Sequence, residues 1–446
     1  MTDVEVIVVG LGISGLTALR SLTGQGIRCL GIDARPRTGG RTARITLPSG
    51  FAFEAGGEFL KPAHTRIRAL MAELGVPALP LEPRGATVSI HDGERTVGVL
   101  PFADRPDAHA EYVAARTKFD ELVATITVGR VHESPDAEQL DSLSVAEWVS
   151  TVVTDDSVRR RLSRELVSGL GGPGGDLSLL VALGYAAAAV PGADAHPDER
   201  VDGGGFAIAE ALAADIPSDL MLLGSPVTRI EQTDDGVTVS TSSTTIRANA
   251  VIVAMSPKLA REVTFDPPLP PSRRALFDGW TQAYGTKTFI VYPTPWWRES
   301  GLSGFGSGDA VVRSLGDLSP ADGSLGVLLA ETHPTPGDHT DPSPAEYRAA
   351  VLDAVESYLG VAPEEPLDFG FHFWPSDPLA GGCGSPLPPG LITAYGDRLD
   401  RPVGRIHFAG TETSDLGWGS MEGAVRAGER ASSDVIIALE SVEKEK

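Results

Sequence analysis

The stretch VEVIVVGLGISGLTALRSL, residues 4–22, limits the possible folds more than any other. Val4, Val6, Ile7, Val8 and Val9 form a near-continuous apolar run, the pattern of a strand buried on both faces of a parallel sheet. Gly10, Gly12 and Gly15 follow as G-x-G-x-x-G, with Ser14 inside the turn, and a helix is expected over Leu16–Leu22. A second strand, IRCLGID at 27–33, ends on Asp33, about twenty residues beyond the glycines. Glycines in this setting allow a tight turn and let backbone N–H groups approach a pyrophosphate at a helix N-terminus. The acid is placed to accept hydrogen bonds from ribose hydroxyls. A dinucleotide site is the expectation, and a purely structural glycine turn is the alternative. Cys29, within the second strand, reads as an inert core thiol.

A chain of 446 residues is long enough for two domains that interleave along the sequence. Its formal net charge of −23 repels phosphates and anionic lipid, which argues against nucleic acid and membrane partners. Solubility is the plain reading of that charge. No basic, apolar and cleavable leader is visible at the start. The longest apolar run, 177–190, is interrupted by Gly184 and Tyr185 and falls short of the ~20 residues that span a bilayer. Two cysteines make a disulfide scaffold implausible, and the cytoplasm is the expected compartment. No histidine, cysteine or carboxylate spacing suggests a metal site, and no Ser–His–Asp set is visible.

Further along, FAFEAGGEFLK (51–61) brings a second glycine pair, Gly56 and Gly57, followed by Glu58. HTRIRALMAELG (64–75) has helical spacing and a glycine to end it. Residues 103–195 read as mostly helical, with charged faces taken as solvated and no chemistry evident. RVDGGGFAIAEALAADI (200–216) is a glycine turn into a helix. Residues 220–255 alternate as a β-meander that returns to the parallel sheet at AVIVAM. Residues 266–384 mix strands and helices.

ARPRTGGRT (34–42), with a second glycine pair and an arginine after the ribose acid, resembles the flavin-containing amine oxidase superfamily. So does the closing string IHFAGTE…SMEGAVRAGERA (406–431). The resemblance implies an α/β fold: a Rossmann-like FAD-binding domain (1–80, 200–265 and 385–446) with an interleaved α+β substrate domain (81–199 and 266–384). It implies FAD as cofactor. Arg35 would lie near the adenosine, and Gly40 and Arg41 near the pyrophosphate and flavin. Gly56, Gly57 and Glu58 would pass beneath the isoalloxazine, and Val227 would meet the adenine. Glu412 would bond the ribityl region. Gly419, Ser420 and Met421 would open a helix aimed at the pyrimidine edge, where its partial positive charge favours the anionic reduced ring.

Two further segments resemble monoamine oxidases. GTKTFIVYPTPWWRESG (285–301) has Lys287 opening an apolar strand, one of only six lysines against 31 arginines. In the family this lysine holds a water beside flavin N5. FHFWPSDPLAGGCGSPLPPG (371–390) carries Trp374 where the family packs a tryptophan on the flavin. It also carries Cys383, where monoamine oxidases join sulfur to the 8α-methyl of FAD. A covalent link is expected; a free thiol beside a non-covalent flavin and an ordinary loop cysteine are the alternatives. The sequence departs from the family where two tyrosines should wall the path to the flavin. Gly384 and Ser420 stand there, with Trp418 nearby, which implies a wider pocket and a bulkier or unusual amine.

The function implied is oxidation of an amine to an imine, with O2 returning the flavin to its oxidised state and a homodimer left open. The rivals are an L-amino acid oxidase, for which Arg84 is a conceivable carboxylate partner, a flavin-dependent desaturase, and a non-enzymatic FAD-binding protein.

Overall fold

The computed structural model describes residues 3–444 except 99–100, 168–169, 171–176, 190–197, 284, 310, 333–342 and 362–364. The first apolar run forms the strand Val6–Val9, buried throughout. It runs parallel between Cys29–Ile32 and Ala250–Val253. Met221–Leu222 and Ile406–Phe408 complete a five-stranded, all-parallel sheet. Covered faces on both sides explain why these strands show no polar alternation. Val6 and Val8 pack with the helices Ile13–Gly24, Gly205–Ala214 and the long C-terminal helix Met421–Lys444. Ile7 and Val9 face a second core shared with the antiparallel strands Val227–Thr233, Gly236–Thr241 and Thr245–Ala248.

The other large sheet has seven strands. Its order is Asp368–Phe373, Thr286–Tyr292, Gly326–Thr332, Val312–Asp317, Leu302–Gly308, Ala86–His91 and Glu94–Val97. The last two come from the early part of the chain: Ala86–His91 pairs in parallel with Leu302–Gly308, a long-range pairing that no local pattern announces, and Glu94–Val97 pairs antiparallel with Ala86–His91 at the edge. The helix Pro344–Leu359 covers one face, seating Val351, Val355 and Tyr358 against Ile290, Tyr292 and Leu328. Residues of opposite parity, Phe289, Val291 and Leu329, turn to the other face with Phe53 and Trp374.

Within 103–195 the described residues are mostly helical as expected, with helices at Pro106–Val123, Val145–Val152, Asp156–Glu165 and Leu179–Ala187; 168–169, 171–176 and 190–195 lie outside the described residues. Ser144 and Glu147 form a reciprocal capping box at the second of these. The fully buried Asp141 accepts from Ser178 Oγ and from Thr393 N and Oγ1. It ties the helices to the chain that follows Cys383. Among the described residues, no helix is long and apolar enough to cross a membrane, and no group of side chains could hold a metal ion.

Candidate active site

One cavity of about 1850 Å³ runs between the parallel sheet, the seven-stranded sheet and the helical part. That exceeds the ~1000 Å³ upper end of ordinary small-molecule sites and leaves room for a dinucleotide cofactor with a substrate. Gly10, Gly12, Ser14, Asp33, Arg35, Gly40, Arg41, Gly56, Gly57, Glu58, Val227, Lys287, Trp374, Cys383, Gly384, Trp418, Gly419, Ser420 and Met421 all line it. Gly15 and Glu412 do not, although Ser14 and the two neighbours of Glu412, Thr411 and Thr413, do.

The cradle at the first turn is built for close approach. A Cβ on Gly15 would sit 1.8 Å from the Gly10 carbonyl oxygen. Asp33 follows its strand and accepts from Leu11 N at 2.6 Å and Arg35 N at 2.7 Å. Burial raises its pKa, while those two bonds and the charges of Arg35 and Arg37 oppose the rise. Ser14 Oγ accepts from Gly410 N, so the first and last motifs are joined directly. The Arg35 guanidinium pairs with Asp377 at 2.8 Å, near the start of the cysteine loop.

Arg41 links three segments. It donates to the Cys383 carbonyl at 3.2 Å and pairs with Glu412 at 2.7 Å. Glu412 is 1% exposed, and its Oε2 has no protein partner. A Cβ on Gly56 would fall 1.8 Å from the Arg41 carbonyl oxygen. An orphaned buried acceptor and a cradle this bare fit a bound FAD.

Lys287 opens its strand as expected, and its ammonium pairs with Glu58 and lies 4.8 Å from the Phe59 ring centre. The Glu58 side chain is 2% exposed. Trp374 Nε1 donates to the Ala55 carbonyl at 2.8 Å and fixes the indole against the second glycine loop. Cys383 is half-buried; burial raises its thiol pKa, Glu331 adds to the rise, and Arg41 and Lys287 oppose it.

The two positions that lack tyrosine differ from each other. A Cβ on Gly384 would lie 2.6 Å from the Leu170 carbonyl oxygen. The helical part therefore fills the space on that side, and the pocket is not simply widened there. Ser420 Oγ turns back to donate to Gly417 O and accepts from Gly423 N at 3.4 Å, capping the final helix. No side chain at 420 projects as a wall. Trp418 packs on Trp280 at 5.9 Å with its Nε1 unbonded. Arg84 is 66% exposed and paired with Glu82, outside the cavity.

Sequence reasoning missed the helical lining. Arg116, Phe119, Asp120, Glu165, Leu166, Leu170 and Tyr185 all reach the cavity. Helical periodicity marks a buried face without telling which cavity it meets.

Sequence reasoning also passed over Glu54. It accepts from the backbone N–H groups of Ala43, Gly56 and Phe206, clamping both glycine loops to the helix Gly205–Ala214. Burial pushes its pKa from 4.5 up to about 7, against those three bonds and the Lys287 charge. Between these values the folded protein keeps a proton that the unfolded chain has lost. The contribution of Glu54 to stability therefore falls as pH rises through that window. His64 and His407, held down to about 4 by burial, slope the other way. They cancel in a comparison with Glu54→Gln. The stability gap between wild type and that variant should shrink by roughly 3 kcal/mol across the window, as read by chemical denaturation. A gap independent of pH would refute this.

A glycine turn, a ribose acid, a second glycine loop and a lysine strand around one cavity define a flavin-dependent oxidoreductase. The family model for flavin-containing amine oxidoreductases matches residues 13–436, and the chain belongs to that family. It is 34% identical to AofH of Mycobacterium tuberculosis, provisionally named a flavin-containing monoamine oxidase, over 98% of this chain and 97% of that one. An L-amino acid dehydrogenase of Synechocystis is 32% identical over 98% and 95% of the two chains. The solved cyclohexylamine oxidase of Brevibacterium oxydans superposes with a TM-score of 0.90 at 30% identity, covering 98% of this chain and all (100%) of that one.

Proposed function

We propose that the chain is an FAD-dependent amine oxidase producing an imine, with O2 as the final acceptor and hydrogen peroxide as its product. The observation that carries this reading is that Lys287, Cys383 and the first glycine turn line one cavity. Bound FAD supplies the hydride acceptor and passes electrons to O2.

The protein's own groups supply the rest. N–H groups at the start of the helix Ile13–Gly24 and the Asp33 carboxylate hold the pyrophosphate and ribose. Arg41 sets a cation between the Cys383 loop and Glu412. The Lys287 ammonium, kept in place by Glu58, steadies negative charge arising on oxygen beside it. No strong side-chain base is required, because the amine nitrogen provides the electron push. The open side at Ser420 favours a bulkier amine, and Leu170 limits the side at Gly384. The domain division proposed from the sequence assigns the first glycine turn to the cofactor part and Lys287 to the substrate part.

Cys383 is proposed as the covalent anchor of FAD. Such a link would replace an S–H and a methyl C–H bond by a C–S bond, with the two electrons and two protons released going to O2 as hydrogen peroxide. Acid precipitation should leave a yellow pellet from wild type and a yellow supernatant from Cys383→Ala. A colourless wild-type pellet under a yellow supernatant would exclude the link.

A second reading, oxidation of an L-amino acid, has the Synechocystis relative in its favour. The place of Arg84 outside the cavity weighs against it. The function is tested by oxygen uptake with a panel containing cyclohexylamine, putrescine, benzylamine and L-leucine. Uptake matched by peroxide with an amine supports the proposal, and uptake with L-leucine alone overturns it.

A further inference from the structure

Glu331 lines the cavity and, among the described residues, has no ion-pair partner. Glu331 lies on the strand Gly326–Thr332, directly opposite Lys287 on one side and Ser314 on the other. Ser314 in turn stands opposite Ser307, and Ser307 opposite Ser89. Residues directly opposed across a ladder share a face of the sheet. The five residues therefore form a polar row across the sheet, and all five line the cavity. Glu331 is near enough to raise the Cys383 thiol electrostatically.

The neighbouring cations are committed elsewhere. Lys287 is paired with Glu58, and Arg41 with Glu412. Arg313, on the adjoining strand, donates to the Asp309 carbonyl. Among the described residues Glu331 has no hydrogen-bond or ion-pair partner. The Lys287–Glu58 and Arg41–Glu412 pairs are each neutral in sum, so the charge of Glu331 is not offset within the row; Arg313, bonded to a neutral carbonyl, keeps its own charge on the adjoining strand.

We infer that Glu331 anchors the ammonium group of the substrate and selects amines that carry no acidic group. The inference rests on the amine-oxidase reading above. The tyrosine walls that would orient an amine are absent at Gly384 and Ser420. An alkylamine, with a pKa near that of lysine at ~10.4, reaches the enzyme as a cation and passes one ammonium proton to Glu331 or to water before its nitrogen lone pair supplies the electron push. A carboxylate in a partly enclosed cavity holds such a cation through charge-assisted hydrogen bonds. The same carboxylate repels the α-carboxylate of an amino acid. Glu331 thus separates an amine oxidase from an amino acid oxidase on one fold. The hydroxyls of Ser314, Ser307 and Ser89 continue the row and suit a polar group further along the substrate.

The test uses probes without an α-hydrogen, so that binding is read free of turnover. Cumylammonium and its neutral counterpart 2-phenyl-2-propanol are titrated into the FAD-loaded protein at pH 7.5 (about the pH where the amine is charged and carboxylates are ionised), following the flavin absorbance and the heat of binding. Wild type should bind the cation ~10- to 100-fold more tightly than the alcohol. Glu331→Gln should reduce that preference to near unity while keeping the flavin spectrum and melting temperature. Glu331→Asp should keep most of it. A Gln variant that retains the preference, or a wild type that shows none, overturns the inference and leaves Glu331 a solvated carboxylate. A charge preference in an enzyme that oxidises no amine would keep the ammonium site and sink the amine-oxidase reading instead.

Discussion

Gly15→Ala is expected to give a protein that purifies without yellow colour. Its methyl group would stand 1.8 Å from the Gly10 carbonyl oxygen and 3.3 Å from Ala254 Cβ. The carbonyl belongs to the turn itself, so backbone must move rather than a flexible side chain. Overpacking of this kind costs ~1–3 kcal/mol or more, and the atoms displaced are those that would meet the pyrophosphate. Gly24→Ala is the control, because a Cβ there meets nothing within 4 Å. It should retain wild-type FAD content. FAD content is read from the visible absorbance after denaturation. A Gly15→Ala protein with one FAD per chain would contradict the assignment of this turn.

Lys287→Met is expected to act twice. It removes the ammonium and leaves Glu58, with a side chain only 2% exposed, without its partner. Stranding one half of a buried pair costs ~3–5 kcal/mol, so the single variant should be markedly less stable. Glu58→Gln placed beside it removes the stranded charge and should recover most of that loss. Reoxidation should not recover. Loss of a positioned charge at developing oxyanions slows a step by ~100- to 1000-fold, and both variants should react with O2 that much more slowly once reduced by amine. Stopped-flow mixing with oxygen, set beside denaturation curves, separates the two effects. Wild-type reoxidation in the stable double variant would leave Lys287 a structural partner of Glu58 only.

The sequence carried some of this plainly and some of it not at all. Gly10, Gly12, Gly15 and Asp33 were legible because strand, turn and acid are consecutive, and the chemistry of a phosphate cradle is local. The strands Val6–Val9 and Ala250–Val253 were legible from runs without polar alternation, since only a doubly covered sheet tolerates them. Leu170 was not legible. It blocks the space beside Gly384 through a tertiary contact between segments more than two hundred residues apart. A Cβ at 384 would meet its carbonyl oxygen, whereas the Ser420 hydroxyl turns back into its own helix cap. Glu331 sits inside an apolar strand and gains its meaning only from the register that sets it opposite Lys287. Glu54 likewise gains its role only when folding brings its three backbone partners together.

The most direct test of amine oxidation is anaerobic mixing of the FAD-loaded protein with the same amine panel, followed by admission of air. Bleaching of the visible flavin band by at least one amine, with colour restored by oxygen, is the predicted result. A band that no amine bleaches, or that only L-leucine bleaches, would contradict it.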